Sequence, residues 1–438
     1  MVRLTIYEDD LVMRNIALSL TFFCLCVSAQ QTSAGSSAEK LREIREAAER
    51  GDPKAQGTLG RMYFEGDGAV KDLGQAVVWF RKAAEQGNAK AQFNLGLSYD
   101  TGQGVPKDEV QAAVWYRRAA EQGLAQAQFN LGAMYADGVG VPKDETLAVG
   151  WYRKAAEQGN APAQNNLGHM YEDGRGVAKD EATAVTWYRK AAEQGYAKAQ
   201  SNLALDYNSG NGVSKDDAQA AVWYRRAADQ GNMIAQNNLG TMYAQGRGVA
   251  KDEAQAVAWY RKAAEQGYAN AQFNLGARYA NGQGVSKDET QALAWYRRAA
   301  EQGLAIAQNN LGVMYNLGRG VAKDHVQAVV WYRKAAEQGE AGSQFNLAKA
   351  YEDGQGVSKN EAQAVVWYRR AAEQGVAAAQ NNLGTMYAEG SGVVKDEAQA
   401  CAWFRRAFEQ GFSEAQESAA KLKTVCSLGN GATTRVVQ

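Results

Sequence analysis

The stretch NAKAQFNLGLSYDTGQGVPKDEVQAAVWYRRAAEQG, residues 88–123, carries a single tryptophan, Trp115. All ten tryptophans of the chain stand at the equivalent place of such a stretch: Trp79, Trp115, Trp151, Trp187, Trp223, Trp259, Trp295, Trp331, Trp367 and Trp403. Each step is 36 residues, with no insertion or deletion. A catalytic residue is needed once, whereas a packing residue is needed once per structural unit. A fixed period of this length overrides the two or three globular domains that 438 residues would otherwise suggest, and implies a stacked array.

Within 88–123 the first half places Ala91, Leu95 and Tyr99 at i, i+4 and i+8, one face of a helix. The leucine slot (Leu59 to Leu383) and the tyrosine slot (Tyr63 to Tyr387) are the same in every copy. The residue after the leucine is glycine, or alanine at Ala204 and Ala348. So small a residue marks the close approach of another helix, because glycine inside a helix otherwise costs about 1 kcal/mol. Gly102-Gln103-Gly104-Val105 then ends the helix and permits left-handed backbone. Asp108 is the natural N-cap of a second helix, and only Asn360 replaces aspartate at that slot. The second helix shows Ala112, Trp115, Tyr116 and Ala119 at i, i+3, i+4 and i+7 and closes at Gly123. Pro53 and Pro162 fall in first turns, Pro106 and Pro142 in loops.

Each unit is therefore an antiparallel helical hairpin that cannot cover its own tryptophan. Burying one indole removes about 200 Å2 from water, roughly 5 kcal/mol as an upper bound, and only a stacked neighbour supplies that burial. The ten tryptophans are expected to join the hairpins. Ten repeats span 52–411. Residues 38–51 copy a second helix with Glu43 at the tryptophan slot, and residues 412–426 copy a first helix with Ala419 and Lys423 at the leucine and tyrosine slots. Polar substitutions of this kind suit capping half-repeats.

The chain ends differ in character. MRNIALSLTFFCLCVSAQ, residues 13–30, has a basic start, an apolar run and small residues at Val27 and Ala29, the pattern of a secretory signal cleaved after Ala29. The run is too short to cross a bilayer, which takes about 20 residues. Glu8, Asp9 and Asp10 do not suit a signal's basic region, so translation is expected to start at Met13. Residues 1–29 are thus read as a leader, 30–37 as a linker and 427–438 as a disordered tail. Of the cysteines, Cys401 and Cys426 remain after cleavage. Two readings stand: Cys401 as a small core residue, or a bridge to Cys426 in an oxidising compartment.

The consensus AQxNLGxxYxxGxGVxKDxxxAxxWYRKAAEQG resembles the Sel1-like repeat, a relative of the tetratricopeptide repeat with a longer turn. The resemblance covers residues 52–411 and implies an all-α fold: an α/α superhelical solenoid of ten helix-turn-helix repeats with half-repeat caps, its first helices lining a concave groove. It also implies a scaffold or adaptor, often of the bacterial envelope. Some secreted relatives bind β-lactams and carry a disulfide in every repeat, which this chain lacks.

Function is sought in the slots that differ between copies. By that similarity the groove positions of the second repeat are Phe93, Leu97, Asp100 and Thr101. At the first slot Phe93, Phe129, Phe273 and Phe345 interrupt a row that is otherwise small or polar: Gly57, Asn165, Ser201, Asn237, Asn309 and Asn381. Either they anchor an extended segment of a partner protein or they plug gaps between helices. Asparagine precedes the leucine in nine repeats, among them Asn94, Asn130, Asn274 and Asn346. It clamps a peptide or makes an inter-repeat hydrogen bond. His169 also lies on the predicted groove.

Lys and Arg total 48, as do Asp and Glu, so no basic surface points to nucleic acid. No catalytic centre, cofactor or metal site is expected: the two histidines, His169 and His325, lack a partner at ligand spacing. The aspartates and serines recur as cap and loop residues rather than as nucleophile and base. Three readings compete: a periplasmic or secreted scaffold that binds proteins or peptides, a β-lactam-binding or hydrolysing repeat protein, and a structural component associated with cell-wall glycan.

Overall fold

A computed structural model describes residues 39–420 with Leu422 and Cys426. The leader, linker and tail expected at 1–29, 30–37 and 427–438 lie outside the described residues. Among the described residues the regular structure is entirely α-helical. The chain divides into two compact units, one running to Met170 and including Gly174–Ala178, the other made of Tyr171–Asp173 and the chain from Lys179 onward.

The second repeat shows how the sequence makes a hairpin. Its first helix (A helix) spans Ala89–Thr101 and its second (B helix) Glu109–Glu121. Asn88 caps the A helix through the amide of Ala91, and Asp108 caps the B helix through the amide of Gln111. These side chains satisfy amides that the first turn of a helix leaves without a partner. Gly102 closes the A helix in the left-handed region, φ 72°, its N–H donating to the Ser98 carbonyl. Gly104 does a different job. Its loop lies so tightly on the B helix of the preceding repeat that a Cβ would stand 2.1 Å from the Leu73 carbonyl oxygen. The two glycines of the turn thus end one helix and seat the loop on the previous hairpin.

The small slot after the leucine faces the B helix of the same hairpin. At Gly96 a Cβ would meet the Tyr116 ring at 2.8 Å. The close approach expected from that slot is therefore within a hairpin, and it lets the tyrosine sink to complete burial: Tyr116, Tyr152, Tyr188, Tyr224, Tyr260 and Tyr368 are all below 2% exposed or at it. The tryptophans join neighbours within each unit. Trp115 packs on Val77, Phe80 and Leu95, spanning repeats one and two, and Trp403 packs on Val365 and Tyr368 of the preceding repeat. Trp79, Trp115, Trp223, Trp259 and Trp403 are buried, while Trp151, Trp187, Trp295, Trp331 and Trp367 keep an edge in solvent. That exposed edge has a cover. In all ten repeats the Lys or Arg three positions on, from Lys82 over Trp79 to Arg406 over Trp403, lies 3.9–4.6 Å from the ring centroid. A cation over an indole face adds about 0.5–1 kcal/mol at exposed sites.

The ends are closed as half-repeats. Helix 39–49 brings Leu41 and Ile44 onto Leu59 and Trp79. At the other end the helix is shorter than the expected 412–426: it spans Glu414–Ala420, laying Ala415 and Ala419 on Phe404 and Ala407. With seven residues, about two turns, it has few internal hydrogen bonds, so tertiary anchoring decides its stability. A disulfide joins Cys401 of the last B helix to Cys426, their Cα atoms 5.3 Å apart.

Candidate functional site

Two sets of polar residues must be separated before a site can be recognised: those that join repeats and those left over. The joints are the same from copy to copy. Gln92, 4% exposed, donates from Nε2 to the Ala84 carbonyl at 3.0 Å, which is one of the last carbonyls of the preceding B helix. Its Oε1 accepts from Gln122 Nε2 of its own hairpin at 2.7 Å. The same pair recurs at Gln128 with Gln158, Gln236 with Gln266, Gln308 with Gln338 and Gln380 with Gln410. A second joint runs from the arginine two places after the tryptophan to the A-helix tyrosine of the next repeat, as in Arg81 to Tyr99 Oη at 2.7 Å and Arg297 to Tyr315 Oη at 2.8 Å. Both joints were passed over in the sequence. Their signal was there, in the glutamines from Gln56 to Gln380 and from Gln86 to Gln410 and in the arginines from Arg81 to Arg405, which recur in every copy.

What remains on the A helices varies. Phe93, Phe129, Phe273 and Phe345 are each half-buried, with ring centroids 5.6–6.0 Å from Tyr116, Tyr152, Tyr296 and Tyr368 of their own B helices. They fill space beside the tyrosine and still present a face outward, so neither sequence reading is complete alone. Leu97 and His169 are half-buried on the same helices.

The asparagine before the leucine takes its partner from the preceding repeat, and the partner depends on the phenylalanine slot there. Where that slot is asparagine, the two amides bond: Asn274 Nδ2 donates to Asn237 Oδ1 at 2.8 Å and Asn346 Nδ2 to Asn309 Oδ1 at 3.0 Å. Behind Phe345 the asparagine turns instead to the tyrosine hydroxyl, Asn382 Nδ2 donating to Tyr368 Oη at 3.0 Å, and Asn130 and Asn310 act as donors toward the Tyr116 and Tyr296 hydroxyls, which lowers the pKa of each phenol. Repeat one offers Asn94 neither group, since Gly57 and Phe80 stand at the two slots. An inter-repeat hydrogen bond, one of the two readings for these asparagines, is formed at Asn274 and Asn346.

Three of the buried hydroxyls go on to a carboxylate. Tyr116 Oη donates to Asp100 Oδ2 at 3.3 Å, Tyr188 Oη to Glu172 Oε2 at 2.7 Å and Tyr368 Oη to Glu352 Oε2 at 2.6 Å. Burial, reinforced by the Asp100 charge, holds the Tyr116 hydroxyl well above the ordinary phenol range. Burial likewise raises the Asp100 carboxyl, against the lowering effect of the Tyr116 hydrogen bond and the charge of Lys107.

Repeat architecture, slot identities and joints meet in the comparisons. The family model described as Sel1 repeat matches ten successive segments, from 53–88 to 377–412. The chain belongs to the Sel1 repeat family. It is similar to the crystal structure of c5321, a protective antigen present in uropathogenic Escherichia coli strains, with 39% identity over 90% of this chain and 99% of that one and a TM-score of 0.61. A Sel1 repeat protein from Oxalobacter formigenes is 36% identical over 72% of this chain and 92% of its own, with a TM-score of 0.56. Comparison of the sequence with curated proteins gave no match.

Sel1 repeat proteins generally mediate protein–protein interaction, and the scaffold is typically non-enzymatic. In this Sel1 repeat chain, no group of three His, Cys, Asp or Glu among the described residues is arranged to hold a metal ion. His325 stands in the first turn of its B helix with Nδ1 2.7 Å from Asn316 Oδ1, a local contact rather than a ligand set. No helix among the described residues is long and apolar enough to cross a membrane.

Proposed function

We propose that this Sel1 repeat protein is a scaffold of the bacterial envelope whose A-helix face binds an extended segment of a partner protein. The observation that carries this reading is where variation is allowed. The glutamine, arginine–tyrosine and tryptophan contacts recur from hairpin to hairpin within each unit, whereas the A-helix slots change, from half-buried Phe93 to buried Asn165 and Ser201 and from half-buried Leu97 and His169 to exposed Lys349. A stack built only for stiffness has no use for such variety, while selective recognition of a peptide needs it. Apolar rings spaced along a mixed polar face suit anchors for alternate side chains of an extended client.

The envelope part of the proposal has other supports: the signal-like run at 13–30, the Cys401–Cys426 disulfide, and the similarity to a protein described as a protective antigen. Secreted and periplasmic compartments are where such bridges persist.

The test is a variant with Phe93→Asn, Phe129→Asn, Phe273→Asn and Phe345→Asn together. Asparagine already occupies this slot at Asn165, Asn237, Asn309 and Asn381, so the helical signal and thermal transition should stay close to the parent's. Capture of clients from envelope extract should fall by at least tenfold. Undiminished capture by a folded variant would sink the proposal.

A further inference from the structure

Two repeats combine features that are separate elsewhere. In repeat two, Phe93 lies on the Tyr116 ring, that tyrosine's hydroxyl donates to Asp100, and Asn130 of the next repeat acts on the hydroxyl as a donor that lowers its pKa. In repeat nine the same set is Phe345, Tyr368, Asn382 and Glu352. Repeats three and seven keep the phenylalanine, Phe129 and Phe273, but carry Ala136 and Ala280 where the acid would be. Repeat four keeps the acid, Glu172, but carries Asn165 where the ring would be.

The hydrogen bonds run one way. The asparagine amide donates to the phenol oxygen, and the phenol proton goes to one carboxylate oxygen. A carboxylate can only accept when ionised, so its other oxygen still seeks a donor. Asp100 and Glu352 are half-exposed, and among the described residues neither has a cation within 4.0 Å. The nearby loop lysines are engaged with other acids: Lys107 with Glu109 at 2.8 Å and Lys359 with Glu361 at 3.0 Å. Lys349, on the same helix as Glu352, is exposed and makes no ion pair among the described residues.

We propose that Asp100 with Phe93, and Glu352 with Phe345, are two sites that each take an arginine side chain of the client. Arginine fits better than lysine. Its planar guanidinium lies on an aromatic face while its N–H groups fork to a carboxylate oxygen, whereas an ammonium is a hydrated point charge. The tyrosine and asparagine are positioning residues that fix which carboxylate oxygen is left free. This rests on the A-helix face being the client surface, and it adds the chemistry selected there. Lys349 makes the second site the weaker of the two.

The full chain is labelled with 4-fluorophenylalanine in place of Phe93, Phe129 or Phe345, one position at a time. Each is titrated with a short capped peptide carrying one central arginine, and with its twin carrying neutral citrulline, followed by 19F NMR. The labels at 93 and 345 should shift with the arginine peptide and bind the citrulline twin about fivefold more weakly. The label at 129, which has no acid beside it, should not distinguish the two. Asp100→Asn should remove the preference at 93 alone, and Glu352→Gln at 345 alone. Equal binding of the two peptides at 93 and 345, or a preference surviving Asp100→Asn and Glu352→Gln, overturns the proposal. Client capture by the parent chain would stand in that case, so failure here is distinct from failure of the scaffold reading.

Discussion

At the scale of single residues, the inner polar groups carry more than their number suggests. Gln92 donates to the Ala84 carbonyl, which also takes the Gly87 N–H, and accepts from the amide of Gln122. Gln92→Leu keeps the bulk, removes one of the donors to the carbonyl and strands the Gln122 amide, which costs about 1–3 kcal/mol. Hydrogen exchange should report faster opening of Ala89–Thr101, and protection equal to the parent's would refute the role given to the glutamine. Asp180 supplies a pH dependence. The Thr183 backbone N–H, then its hydroxyl, holds the Asp180 carboxyl below its ordinary range. A depressed folded pKa contributes stability that is present above the unfolded value and lost as pH falls through the folded one. Protection of Glu181–Glu193 should therefore weaken as pH drops below about 4. In Asp180→Asn, which caps without titrating as Asn360 does, that slope should flatten; an unchanged slope would assign it to another group. The glutamine role was not legible in the sequence, because a polar side chain on a helix is by default a solvated one. Only its recurrence in every copy marked it, and recurrence alone does not say what it bonds.

At the scale of helices and hairpins, most of what the sequence implied is present. Caps, turns and periodicity are local, set by a few neighbouring residues, so Asp108, Gly102 and the Ala112-Trp115-Tyr116-Ala119 stripe announce their helix without help from the rest of the chain. The small slot was read correctly as a close approach, but its partner, Tyr116, depends on how the hairpin closes. The choice of the asparagines between an amide and a phenol was hidden for a similar reason, because it is decided by a residue of the preceding repeat. The terminal helix is where an element leans most on one bond. Glu414–Ala420 has seven residues and a small contact, and Cys426 ties the chain beyond it to the last B helix. Reduction, or Cys401→Ser with Cys426→Ser, should release this cap selectively. Exchange in 414–420 should rise by at least tenfold while Ala377–Glu389, in the last A helix, changes little. Equal loosening of both, or of neither, would deny the bridge that role.

For the molecule as a whole, ten copies of one hairpin separate two tasks that a globular domain mixes. Residues repeated in every copy hold the hairpins together within each unit, and on the proposed reading the residues that differ select a partner. The period of the tryptophans made the first task legible at once. The second stayed open, because an exposed side chain carries no periodic signature of what it meets. The most direct measurement replaces Leu97 and Ala277 on A helices, and Val114 and Val330 on B helices, one at a time by a photo-crosslinking residue. The B-helix positions are 39% and 40% exposed, so access does not favour the A face in advance. Illumination in envelope extract is predicted to link clients from 97 and 277 and not from 114 or 330. Links from the B helices alone would contradict the account.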